Sequence, residues 1–182
     1  GRRFARRRSM VGPPVEFVWV PLGLVLGMVG LGLLIGSRAG GSPAWLAAAG
    51  RPLAQQGFLL AVVTGIGGFM APRLLGREVL LVTPAGTSAT QARRIRLRRL
   101  LVHAATGLLF ASSFALEGAG WIGPAYLVRA LTVTGVLSWT ARLHQRPRVP
   151  DRYVWLLWVS LWMVVLGLWG AGLVPRYRAP ML

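Results

Sequence analysis

The chain has 182 residues, 54% of them hydrophobic, with a mean hydropathy of +0.58, so no sizeable soluble domain fits between its apolar stretches. Its formal charge of +17 comes from 21 arginines and no lysine, against four acids: Glu16, Glu78, Glu117 and Asp151. So few acids leave hydrolytic acid–base chemistry almost nothing to work with, and zero cysteines exclude disulfides, thiolate sites and iron–sulfur clusters.

Five arginines (Arg2, Arg3, Arg6, Arg7 and Arg8) precede the first apolar run, residues 15–36, which Pro13 and Pro14 introduce. Ser37-Arg38-Ala39 loosely resembles a signal cleavage site, but the run is long for a signal core and four more follow, so it reads as a retained signal anchor. It carries two small-xxx-small pairs, Gly23/Gly27 and Gly32/Gly36, which permit close helix contact. After Arg38 and Arg51 comes the second run, 53–71, with Gly57, Ala61 and Gly65 on one face. The next segment holds Arg73, Arg77, Arg93, Arg94, Arg96, Arg98 and Arg99; 80–91 reads as a polar loop and 91–99 as an interfacial helical turn entering the third run, 100–120. A connection without arginine leads to the fourth run, 124–141, with Pro124 in its first turn. Arg142, Arg146, Arg148 and Arg152 separate it from the fifth, 153–174, with Asp151 as N-cap.

Each run approaches the ~20 residues a helix needs to cross a ~30 Å hydrocarbon layer, and a spanning backbone must satisfy its own polar groups. The fold class expected is therefore an all-α polytopic transmembrane bundle of five spans, forming a single domain. Sixteen arginines fall on one side and four on the other, with Arg129 inside a span. Basic residues are retained in the cytoplasm, which puts the amino terminus inside and, in a bacterium, the chain in the inner membrane. The arginines also make anionic headgroups the expected partner. The 93–99 cluster has no interleaved aromatics, so nucleic acid is not expected. A start without methionine and the helix-like lead-in 179–182 leave open a piece of a longer protein.

Ionisable residues inside a bilayer are costly, and apart from Glu16 at the entry of the first run three stand in the runs: His103, Glu117 and Arg129. A neutral His103 could ligate haem iron or copper through one nitrogen, or simply bond a nearby group. Glu117 and Arg129 lie near the ends of consecutive antiparallel helices, where an intramembrane ion pair is easy to form. That pair could be structural, gate an anion path or hold a haem propionate. Trp155, Trp158, Trp162 and Trp169 share one helix face, as a stacking wall or as packing aromatics. His144 sits in an arginine-rich loop and reads as solvated. No catalytic motif is present.

From Gln56-Gly57-Phe58-Leu59-Leu60-Ala61 through Gly65-Ile66-Gly67-Gly68-Phe69-Met70-Ala71-Pro72-Arg73-Leu74-Leu75-Gly76, the chain resembles the NnrS family, bacterial haem- and copper-containing inner-membrane proteins. The stretch 174–182 is similar to the lead-in to a histidine-bearing helix of that family. The resemblance implies a haem- or copper-linked role in nitric oxide metabolism or nitrosative stress; His103, by its own chemistry, is the candidate cofactor-binding residue, and it matches no ligand position of the family. Members of the family are longer and carry several intramembrane histidines, whereas His103 stands alone here. Two other functions fit the same residues: a non-catalytic membrane subunit or assembly factor working through helix contacts with a partner or a second copy, and a half-transporter completed by dimerisation.

Overall fold

The structure, a computed structural model, describes residues 14–38, 42–76 and 88–173. Within these the chain is all-α. A 3-10 turn, Val15–Val18, opens α1 (Trp19–Gly36). Helix α2 (Ala44–Pro52) passes through a π turn, Leu53–Gly57, into α3 (Phe58–Leu74). Then follow α4 (Ala89–Gly118), α5 (Ile122–Thr140) and α6 (Arg152–Leu173). The amino-terminal and carboxyl-terminal arginines, Arg77 and most of the 80–91 loop fall outside the described residues, as does 174–182.

Two runs are longer than their apolar cores. The expected second span, 53–71, is part of one 31-residue rod, Ala44–Leu74. Pro52 has no N–H to donate and its ring crowds the preceding turn; the helix continues by widening the next turn to π. The third helix starts at Ala89, where the Ser88 hydroxyl accepts from the Gln91 N–H at 3.3 Å, and ends at Gly118 instead of 120. The fourth starts two residues early, at Ile122, and the fifth runs 152–173. The Asp151 carboxylate caps the last by accepting from Tyr153 N–H at 2.7 Å.

Among the described residues four helices are long and apolar enough to cross a membrane: 15–36, 44–74, 90–118 and 152–173. The chain is thus a multi-span helical membrane protein. The expected fourth span, 124–141, corresponds to α5, a 19-residue helix diluted by Arg129, Thr132, Thr134, Ser138 and Thr140. Position explains this composition, since α5 packs against α3, α4 and α6 and buries Ala125, Tyr126, Arg129, Ala130, Thr132, Val133, Val136 and Leu137. Its neighbours screen it, so it can carry polar groups that an exposed helix could not.

Successive rods run antiparallel. Residues 19, 23 and 30 of α1 meet 65, 61 and 54 of the second rod, and 103 and 113 of α4 meet 139 and 129 of α5. Ten described arginines (73, 93, 94, 96, 98, 99, 142, 146, 148 and 152) therefore gather at one end, and only Arg38 and Arg51 lie toward the other.

Water does not drive helices together in lipid, so close approach and hydrogen bonds must do so. The α1 seam uses glycine. A Cβ on Gly30 would lie 2.3 Å from Ala54 N and 2.8 Å from Gly50 O, and one on Gly50 would lie 2.9 Å from Gly30 O. Gly23 opposes Ala61 and Phe58 at 3.1 Å, Gly27 opposes Phe58 at 3.3 Å, Gly57 opposes Leu26 at 3.3 Å and Gly65 opposes Trp19 at 2.9 Å. Among the described residues, Gly32 and Gly36, expected in the same packing, have nothing within 4 Å of an added Cβ. At about 100° per residue, positions 23, 27, 30 and 34 share one face, and 32 and 36 fall on the opposite one.

Candidate functional site

Arg129 is 0% exposed and joins three helices. The turn between α4 and α5 makes this possible. Gly120 takes φ +87°, where a side chain would be strained, and Trp121 N–H closes onto Leu116 O at 2.9 Å. The chain reverses within three residues, and Arg129 on α5 faces the last two turns of α4.

Each guanidinium nitrogen has an acceptor. Nε donates to Ser113 Oγ at 2.9 Å, Nη1 to Gln56 Oε1 at 2.9 Å, and Nη2 to Glu117 Oε2 at 2.5 Å and to Ser113 O at 3.4 Å. The Phe114 ring covers one face of the cation with 3.7 Å from Cζ to its centroid, and Tyr126 lies at 4.9 Å. Gln56 also donates to the Tyr126 hydroxyl at 2.9 Å, so one amide links the π turn to two groups of α5. The structure thus brings Glu117 and Arg129 together, and it adds Gln56, Ser113, Phe114 and Tyr126. No sequence signal marked Gln56, because the contact spans 73 positions. The π turn rotates residues 53–57 relative to an α-helix, and its one amide side chain with a buried partner is Gln56. The Glu117 side chain keeps 14% exposure and Gln56 is half-buried, so the network touches the surroundings at its edges while Arg129 itself is enclosed.

The second cluster lies near the arginine-rich end. His103, 2% exposed, accepts from Trp19 Nε1–H through Nδ1 at 3.1 Å, and its ring stacks on Trp139 at 5.5 Å between centroids. Trp19 in turn meets Phe110 edge-on at 5.6 Å. Beside them, a Cβ on Gly68 would lie 3.1 Å from Thr140 Oγ1 and 3.8 Å from Glu16 Cγ, so the starts of α1 and the ends of α3 and α5 converge there. Glu16 Oε2 is buried without a hydrogen-bond partner among the described residues. Glu16, Trp19 and Trp139 carried no motif, and only the fold assembles them.

This geometry bears on metal or haem binding. Because Nδ1 of His103 accepts a hydrogen bond, the ring proton sits on Nε2, and neither nitrogen offers a lone pair to a metal. Among the described residues no three His, Cys, Asp or Glu side chains group as metal ligands. In this arrangement the residues present do not fit an axial haem ligand or a copper centre.

The tryptophan face of α6 is packing. Trp158 donates to Leu143 O at 2.9 Å and Trp169 to Thr134 Oγ1 at 3.1 Å, which fastens α6 to α5 and the loop after it. Trp155, Trp158 and Trp162 meet edge to face, at 77° and 75°, and so present no flat wall. His144 is exposed.

Comparison of the chain with protein-family models, with curated proteins and with solved structures finds no match.

Proposed function

We propose that this protein is a non-catalytic subunit or assembly factor of a membrane complex, acting by presenting helix faces to a neighbour in the bilayer. One observation carries the reading: among the described residues, all buried side-chain polar atoms except Glu16 Oε2 and Trp162 Nε1 are spent on partners within the bundle. Arg129 has an acceptor at every nitrogen and an aromatic cover, and His103 is closed between two tryptophans. Such networks fix the relative depth and rotation of helices, which is the task of a scaffold. The outward faces remain apolar, with Met28 74%, Ile35 64%, Met163 58% and Leu166 53% exposed on α1 and α6. In this reading the protein belongs to a bacterial inner membrane, α5 is a fifth span and the arginine-rich end is cytoplasmic.

The test is purification of the tagged chain from native membranes in a gentle detergent. A partner or a second copy recovered at fixed stoichiometry is expected. Gly32→Leu or Gly36→Leu should reduce that recovery without unfolding the chain, since both face open space within it. A chain that stays monomeric and unaccompanied would sink the reading. A haem- or copper-linked role, as the NnrS resemblance implies, needs the Trp19–His103 bond to open. Its sign would be a Soret band in the same preparation, lost in His103→Ala. The resembling segment has a packing use here: Gly57, Ala61, Gly65 and Gly68 all line helix contacts. A half-transporter would show flux in proteoliposomes that Arg129→Gln abolishes.

A further inference from the structure

Helix α4 is longer than a membrane requires. Its 30 residues extend about 45 Å at 1.5 Å per residue, against a hydrocarbon layer of about 30 Å. The apolar part from Leu100 onward takes about 28 Å of that, so the stretch before it rises about 16 Å beyond the layer at the arginine-rich end. A headgroup region is roughly 5–8 Å deep on each side, and the arginines that precede Leu100 sit at that depth and just above it.

Those first three turns are electrostatically unfavourable as they stand. Arg93, Arg94, Arg96 and Arg98 are exposed and Arg99 is half-buried. Steps of about 100° spread them round the axis, and the pairs 94/98, 93/96 and 96/99 place like charges one turn apart. The positive end of the helix dipole lies in the first turn, 89–92, just before Arg93, and favours anions there. Among the described residues Arg93, Arg94 and Arg98 form no ion pair. The helix nonetheless continues unbroken from Ala89 into the span. At this depth the exposed Arg93, Arg94 and Arg98, unpaired among the described residues, favour counter-charges at the membrane surface.

We propose that the first three turns of α4 form a collar that binds anionic phospholipid headgroups, with Arg93, Arg94 and Arg98 contacting the phosphates. A guanidinium fork matches a phosphate with two parallel N–H donors, and the exposed Ile95 and Leu97 lie between the arginines at headgroup depth. Nucleic acid also offers phosphates, but residues 89–99 contain no aromatic side chain to stack a base. The proposal rests on the chain being a multi-span membrane protein and is independent of any partner subunit.

The experiment is native mass spectrometry of the full chain in detergent, titrated separately with phosphatidylglycerol and phosphatidylcholine. The wild type is expected to prefer phosphatidylglycerol. R93Q/R94Q/R98Q should weaken that binding about a hundredfold, at roughly fivefold per basic residue near an anionic surface, while R93K/R94K/R98K keeps most of it. Circular dichroism of both variants checks that the helix content is unchanged. Equal binding of the two lipids by the wild type overturns the proposal, as does undiminished phosphatidylglycerol binding in a folded glutamine variant. RNA that co-purifies with the wild type and is lost from the glutamine variant, with lipid binding untouched, would make the collar a nucleic-acid surface instead. Failure of the chain to resist alkaline extraction from membranes would sink the membrane reading itself, separately from the collar.

Discussion

The seam between α1 and the 44–74 rod and the contacts of α5 with its neighbours meet the same physical problem in opposite ways. Both join helices where lipid is as apolar as the side chains, so burial of hydrophobic surface gives little preference for contact. The α1 seam removes side chains until backbones touch, with Gly30 and Gly50 at the crossing. The α5 contacts keep large side chains and bind them by hydrogen bonds, with Arg129, Gln56, Ser113 and Glu117 at the centre. The first device tolerates no added atom. The second tolerates changes of shape but not the loss of one partner of a set. The two are linked: Gly57, the last residue of the π turn that carries Gln56, packs on both Leu26 of α1 and Phe114 of α4.

The largest effect should come from splitting the charge pair. Glu117→Ala leaves a guanidinium of 0% exposure without its counter-charge, which typically costs about 3–5 kcal/mol. Thermal unfolding in a fixed detergent should show it. Glu117→Leu with Arg129→Met, which removes both charges and keeps volume, should recover most of the loss or exceed the wild type. If the double variant is no better than the sum of the single ones, the pair is not coupled and the polar centre owes its stability to packing.

Gly30→Ala tests the other device. The added Cβ would sit 2.3 Å from Ala54 N, a backbone atom that cannot rotate away, so α1 must lift from the rod. Overpacking of this kind costs about 1–3 kcal/mol, and here relief by rotamer change is closed off. Cross-linking between cysteines placed on α1 and α2 should report the wider spacing. An unshifted cross-link with unchanged stability would mean that the seam is looser than the backbone distances imply.

A smaller effect belongs to the cluster between these two regions. Trp19→Phe keeps the aromatic contact with Phe110 and removes the hydrogen bond to His103. Side-chain hydrogen bonds inside membrane bundles average about 0.6 kcal/mol, with the largest near 1.7 kcal/mol. The substitution also frees Nδ1 of His103, so it is the variant in which added haem or copper should first bind if this histidine can ligate at all. A haem titration followed by absorbance reads both the wild type and the variant.

The sequence made the local parts of this design legible and hid those made across the chain. Glu117 and Arg129 could be paired on paper because a short turn and helical geometry fix their relation. Gln56 could not, since its place depends on how the second rod packs against α4 and α5. A small-xxx-small spacing marks glycines that share a face but not which face meets a neighbour. Gly23/Gly27 and Gly32/Gly36 looked equivalent, and Gly30 with Gly50, outside any such pair, form the closest contact. The turns of α4 before its apolar run were legible as a helical stretch over 91–99, whereas α2 was hidden by Pro52, which normally ends a helix. His103 was legible as a buried ionisable group but its closure by Trp19 and Trp139 was not, because they come from two other helices.

Gly32→Ala gives the smallest effect and the cleanest contrast with Gly30→Ala. The two positions lie two residues apart on one helix, and the same methyl group is added at each. A Cβ on Gly32 has no neighbour within 4 Å among the described residues, so the methyl meets nothing there, and alanine is favoured over glycine in a helix by about 0.5–1 kcal/mol. Stability in detergent should therefore stay level or rise slightly, whereas Gly30→Ala lowers it. The same variant assayed in native membranes separates the two surfaces of α1. If its outer face meets only lipid, the methyl remains harmless there. If that face carries a partner helix at glycine spacing, recovery of the partner falls while the isolated chain is unharmed, and no loss of folding can account for the difference.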